Sequence, residues 1–393
     1  MQYTLRSGRP EEVGLAGDGL HRAHQVLAQA IDRGLIPGAV YLVARYGVVA
    51  AHAALGQAML EPEVRPMSVH TSFDLASITK VVATTTSLLI LAEQGVVSFG
   101  EPLPAHFPEA VGKEHVTIGD LLLHTSGLPA WLPLYAMSDS PEGAVEVICR
   151  SPLEFTPGTR VQYSCLGMIL LGELIRRLTG IPLDRFAQEN LYIPLGMDDT
   201  CFLPPPSRRT RIAATERGNQ VEKLMAKQGG YQFDRWREHV MVGEVNDGNA
   251  HYAMRGVSGN AGVFSTARDL AILGQLFLNG GSYGGVRLFS PLTVQAATAC
   301  QTYPLPAERG WGFAIRPERT YTEPWVPSGR PAGELFSKTA YGHSGFTGTC
   351  FWMDPLHGLL VVLLTNRIHP AADGRFNYLV RPRFFNAVAG SVL

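Results

Sequence analysis

From Val81 to Leu91 the chain reads VVATTTSLLIL, apolar almost all the way round a helix. A helix without a polar face belongs in the middle of a fold. The residues just ahead of it, in FDLASITKVVATTTSLLILAEQG, include Ser77, Thr79 and Lys80. The whole segment reads as one helix with Ser77 in its first turn. A serine and a lysine three residues apart share a helix face. As a surface pair they would be unremarked, but a lysine entering a buried segment needs a use. A neutral amine there serves as the adjacent base that a weak hydroxyl nucleophile requires. The helix N-terminus adds unpaired N–H groups and partial positive charge, which favour an oxyanion. That field, with burial, is expected to lower the pKa of Lys80.

The rest of the composition narrows the setting. A chain of 393 residues suggests two domains, or one with a large insertion. Lys+Arg (33) balances Asp+Glu (34), so no basic field exists for nucleic acid or an anionic membrane. A neutral small molecule is the expected partner. The run Gly358–Leu364 and others like it are too short to span a bilayer. No apolar stretch follows Arg6 and Arg9, so no secretory signal is read, short of one removed beforehand. Five widely spaced cysteines without a C-x-x-C read as free thiols, and the expected compartment is the cytoplasm. No ligand set for a metal and no phosphate or dinucleotide fingerprint occurs, so no cofactor is expected.

Strand patterns cluster at the two ends. Residues 17–34 have helical spacing, and Gly38–Ala44 and Val48–Ala54 flank a turn at Arg45-Tyr46-Gly47. Near the C-terminus, Trp311–Ile315, Gly348–Asp354 and Gly358–Asn366 read as strands, followed by a helix from about Arg375 to Val388. The middle is mostly helical, and 208–260 reads as extended loop over a surface or site. The reading is an α+β chain with one sheet built from both termini. Its division is 1–80 with 300–393 as the sheet domain and 81–299 as the helical domain, with the site in the cleft between them.

Two further elements complete a candidate centre. Tyr163, in Tyr163-Ser164-Cys165, precedes a helix, and a phenol beside a lysine ammonium can act as a base. His343-Ser344-Gly345 leads into a strand whose glycines 342, 345 and 348 imply a close backbone approach, such as a substrate carbonyl. The N–H of Phe346 could pair with that of Ser77 as an oxyanion hole. Trp131 and Tyr135 are expected as apolar pocket walls, and His124 as structural. Lys338-Thr339-Ala340 ranks below His343–Gly345 as the third element. Gly280–Gly284 matches G-x-S-x-G, but a helix precedes it where the elbow needs a strand, so it reads as a surface turn.

The segments FDLASITKVVATT, LLLHTSGLP, FTPGTRVQYSCLGMILLGELI and GHSGFTGTCFWMDPLHGLLVVLLTN, in that order, resemble the serine β-lactamase-like hydrolases. That superfamily takes in class C β-lactamases, D-alanyl-D-alanine carboxypeptidases and family VIII carboxylesterases. The resemblance covers nearly the whole chain. It implies a β-lactamase/transpeptidase-like fold: an antiparallel sheet flanked by helices, with a large helical insertion. It makes Ser77 the acylated serine, Lys80 its partner and Tyr163 the base that also protonates the leaving group. Two positions depart from the pattern. Cys165 stands where Y-x-N has asparagine, and His343 stands where K-T-G has lysine, so a carbonyl-binding amide and a permanent charge are lost.

These departures favour a carboxylesterase of family VIII type acting on short acyl esters, since an ester without a carboxylate needs neither group. The alternative is a β-lactamase, D-alanyl-D-alanine carboxypeptidase or D-amino-acid peptidase with the same Ser-Lys-Tyr centre. A non-enzymatic ligand-binding descendant fits poorly with all three residues intact. Self-association into a homo-oligomer stays open.

Overall fold

The computed structural model describes residues 2–316, 331–372 and 374–393. Its main sheet draws β1 (Arg6–Ser7), β2 (Gly38–Arg45) and β3 (Val48–Met59) from the N-terminal part. From the C-terminal part come β4 (Ala314–Ile315), β5 (Tyr341–Ser344), β6 (Cys350–Asp354) and β7 (Leu359–Thr365). The order across the sheet is β1-β3-β2-β7-β6-β5-β4. The two ends of the chain meet where β2 pairs with β7, Val43 opposite Val361. Tyr46 and Gly47 both adopt left-handed backbone (φ 48 and 78), the requirement of a two-residue primed turn between β2 and β3.

The sheet, expected from sequence to be antiparallel, is not wholly so. β1 runs parallel to β3, Arg6 opposite Val48. The connection from β1 to β3 runs through the helix Gly17–Asp32 and β2, the long crossover that a parallel pair requires. The expected strand Trp311–Ile315 shrinks to the two residues of β4.

β2 and β7 are buried along their whole length, which explains their continuous apolar runs. One face packs against Gly17–Asp32 and Arg381–Ala389. The other packs against Ala267–Leu278, which lies on the sheet although it falls within the segment read as helical domain. A Cβ at Gly274 would stand 2.5 Å from Leu360 Cδ1 and 2.9 Å from Phe351, so glycine lets this helix approach closely.

The segment read as one α-helix is helical from Ala76 to Glu93 but not uniform. It begins as a 3-10 turn (Ala76–Ile78), widens to a π-type turn (Lys80–Thr85) and becomes α-helical at Thr86–Glu93. The Thr86 hydroxyl donates to the Val81 carbonyl at 2.6 Å, and Thr84 donates to Gly259 O at 2.8 Å. A hydroxyl that takes up a carbonyl of its own helix, as Thr86 does at Val81, disturbs the i−4 ladder and opens the helix locally, whereas Thr84 ties the segment to a distant loop. This stretch is long and apolar enough to cross a membrane, contrary to the run-length reading, but 83% of it is buried inside the fold.

Residues 208–260 are more ordered than expected. They hold the helix Gln220–Gln228 and a wide turn at Asn249–Ala253. Only Ala226 of that helix is buried, so its sequence shows almost no apolar period.

Candidate active site

Ser77 is presented by a strained turn. The short strand Phe73–Asp74 pairs with Val263–Ser265 and leads into Ala76, which is left-handed (φ 46). For a residue with a Cβ this conformation costs about 1 kcal/mol. Asp74 holds it: one carboxylate oxygen accepts the Ala76 N–H at 2.8 Å, the other the Asn246 N–H at 2.7 Å. Thr347 donates to the Asp74 carbonyl at 2.7 Å and Thr349 to the Leu75 carbonyl at 3.0 Å. The loop after β5 is thereby fastened to the turn that carries Ser77. The close approach expected at Gly345 is made by the protein itself. A Cβ there would stand 2.3 Å from Leu75 O and 2.2 Å from Thr349 Oγ1.

Lys80 is completely buried. Its Nζ donates to Ser77 Oγ at 2.9 Å and to the Asn260 carbonyl at 2.9 Å, and lies 3.7 Å from Cys165 Sγ. Burial works against its charge. The Cys165 thiol, the Tyr163 phenol and Asp247 outweigh burial, so its pKa lies above the ordinary lysine value. This reverses the lowering expected from the helix N-terminus, because that reading left out the acidic groups gathered around the amine.

Tyr163 stands beside the pair. Lys80 Nζ lies 5.0 Å from its ring centroid, and Lys80 and Ser77 both approach its hydroxyl closely enough to favour the phenolate. Burial is stronger and moves the phenol above its usual value. His124 packs on the ring at 4.6 Å between centroids. It is buried and left-handed, and its Nδ1 accepts the Ser164 N–H at 3.2 Å, so it orients Tyr163 and Ser164 as a structural residue.

His343 approaches the same ring at 5.9 Å. Its Nδ1 pairs with the Ser344 carbonyl at 2.8 Å. Burial, then the charges of Arg309 and Lys80, push its pKa down to about 3, so this position is uncharged at neutral pH. A cation nevertheless stands there. The Arg309 guanidinium lies 5.6 Å from the Tyr163 ring centroid. Arg309 is only 6% exposed and has no acidic partner among the described residues. Burial lowers its pKa, but an arginine stays protonated.

Two cavities open on Ser77. One, of about 410 Å³, is lined by Tyr163, Arg309, His343, Ser344, Gly345 and Phe346, among others. The second, of about 220 Å³, is mainly apolar and takes in Trp131, Cys165, Met225 and Phe346. Glu222 also lines it, its carboxyl raised well above the ordinary range by burial and by the charge of Asp247. Phe346, half exposed, borders both. Its N–H and that of Ser77 are taken by no acceptor among the described residues. Tyr135 is not a wall. It lies behind Trp131, buried and packed on Phe233, Trp236 and Tyr252. Four aromatic rings cluster there, and burying a large ring in such a cluster competes with lining a wet pocket.

Lys338 and Thr339 are exposed, and Ser337 beside them bonds to Asp354 at the far end of β6. Ser282 of the G-x-S-x-G match sits in a two-stranded ribbon with Val286–Arg287. Neither lines the cavities on Ser77. Sequence reading missed Arg309, Asp74 and Asn260. Arg309 lies in a stretch with no local pattern, and only the fold brings it to Tyr163.

A family model described as Beta-lactamase matches residues 23–381. A protein of Salmonella heidelberg (strain SL476), provisionally named D-alanyl-D-alanine carboxypeptidase, is 34% identical and aligns over 95% of this chain and 89% of its own. A penicillin-binding protein homologue from Caulobacter crescentus superposes with a TM-score of 0.70 at 23% identity, covering 96% of this chain and 98% of that one. A family VIII carboxylesterase superposes with 0.68 at 20% identity, covering 96% and 99%. At these identities the two structures show a shared fold.

Proposed function

Because this chain belongs to the beta-lactamase family and is a serine hydrolase of that superfamily, we propose that it cleaves an ester or amide whose leaving group bears a carboxylate, through an acyl-enzyme on Ser77. Arg309 carries this reading. A buried guanidinium with no acidic partner among the described residues, facing a cavity that opens on Ser77, is costly unless an anion meets it. The neutral ester expected from sequence rested on two losses, the amide at Cys165 and the charge at His343, and Arg309 supplies a charge at the same ring. The provisional carboxypeptidase name of the Salmonella relative agrees with an anionic leaving group.

In this reading the Lys80–Tyr163 pair, once it has lost a proton, takes the proton of Ser77 Oγ as the oxygen attacks the acyl carbon. The N–H groups of Ser77 and Phe346 receive the oxyanion. The bond to the leaving group breaks, and the leaving atom takes its proton from Tyr163. Water then attacks the acyl-enzyme and restores Ser77. The mainly apolar cavity by Trp131 and Met225 holds the acyl side.

A second reading, hydrolysis of neutral short-chain esters, is favoured by Cys165, which offers no amide to a peptide-like acyl group. The test compares kcat/KM on N-acetyl-alanyl-alanine and its C-terminal amide, in the D and L series, with p-nitrophenyl butyrate. The free acid should exceed the amide by about a hundredfold, as expected when a buried ion pair forms. Equal rates on acid and amide, with p-nitrophenyl butyrate far ahead, would leave the neutral esterase standing.

A further inference from the structure

Arg309 is not the only cation on its cavity. Arg381 and Arg367 line the same space, 7% and 5% exposed, and no aspartate or glutamate of the described residues does. His343 on that wall is neutral. Arg367 is engaged over the Phe346 ring at 5.0 Å and is set aside. Arg381 differs. It opens the helix Arg381–Ala389, and the partner of its guanidinium is Cys350 Sγ at 4.0 Å. A thiol is a weak acceptor for a guanidinium. The Arg381 Nε is buried without a partner.

One carboxylate on the leaving group answers Arg309. It leaves the second buried guanidinium facing the same space with no acidic partner among the described residues. We infer that the leaving group carries two negative charges, one met by Arg309 beside Tyr163 and the other by Arg381, as an amino acid with a side-chain carboxylate would provide. The inference rests on the acyl-enzyme reading above and narrows its substrate class. A cavity of about 410 Å³ lies within the size range of small-ligand sites and has room for a branched, doubly charged group. The two arginines come from segments on either side of β5 and β6 in the chain, so their convergence is a product of the fold. Guanidinium recognition of carboxylate is bidentate, and it discriminates strongly against a group that lacks the charge.

The test uses wild-type protein and three peptides that share the N-acetyl-alanyl acyl part, in both the D and L series. They end in alanine, in glutamate and in alaninamide. The expected order of kcat/KM is glutamate above alanine by about tenfold or more, one charge-assisted pair, with alaninamide lowest. In Arg381→Met the ratio of glutamate to alanine should fall to near one, and Arg381→Lys should recover part of it. Alanine and glutamate peptides turned over alike, both well above the amide, would overturn the second charge and leave the carboxylate reading intact. An amide cleaved as fast as either acid would sink both. The wild-type series decides even if a substitution at position 381 fails to fold.

Discussion

Arg309 lies over the Tyr163 ring at 5.6 Å, on a wall where His343 is uncharged. A histidine in place of lysine in the third motif therefore does not empty the site of positive charge. The cation enters from a different segment.

Arg309→Met should separate the two substrate classes. On a peptide with a free C-terminal carboxylate, kcat/KM should fall by about a hundredfold, through KM more than kcat. On p-nitrophenyl butyrate the change should stay within a few fold. Adding His343→Lys to Arg309→Met should recover part of the loss, because the new ammonium approaches the same ring. The same substitution in wild type should not help, since it sets a second cation beside Arg309. Steady-state kinetics on the four proteins checks this.

The pH profile follows from two pKa directions. Lys80 and Tyr163 both lie above their ordinary values, so at neutral pH the resting site holds an ammonium and a phenol. In the proposed mechanism the active form has lost one of these protons and is a minority at pH 7. Activity should therefore climb with pH, about tenfold per unit in the steep region, with no plateau below roughly pH 10. A log(kcat/KM) profile that is flat between pH 6 and 9 would contradict the assignment of this pair as the base.

Asp74 serves geometry rather than proton transfer. Its two oxygens receive the N–H groups of Ala76 and Asn246 and so fix the turn before Ser77. Asp74→Asn keeps the shape but retains one acceptor, which strands a buried N–H at a cost of about 1–3 kcal/mol. The expected outcome is a tenfold or greater loss of kcat with little change in KM, and a protein that still unfolds cooperatively. Unchanged kcat with lowered melting temperature would reduce Asp74 to a purely structural residue.

Much of this was legible in the chain because the signals are local. Ser77 and Lys80 share one helix turn, the strands at both ends are continuous apolar runs, and Gly345 marks a close backbone approach. What escaped is what the fold brings together. Arg309 is 146 residues from Tyr163 in the chain, and nothing near it in sequence announces a site. The sign of the Lys80 shift was misread because Cys165, Tyr163 and Asp247 converge on the amine only in three dimensions. Tyr135, expected with Trp131 as an apolar pocket wall, is instead drawn inside by Phe233, Trp236 and Tyr252. β1 escaped as well, because a two-residue edge strand carries no period.

The acyl-enzyme itself is the claim on which the rest depends. Lys80→Met, which removes the amine 2.9 Å from Ser77 Oγ, should slow acylation by about a thousandfold. The most direct measurement is intact and peptide mass spectrometry of the protein after brief exposure to a fluorophosphonate or an activated ester. The expected result is one adduct, located on Ser77, absent in Ser77→Ala and much slower in Lys80→Met. An adduct on another residue, or undiminished turnover by Ser77→Ala, would contradict the account.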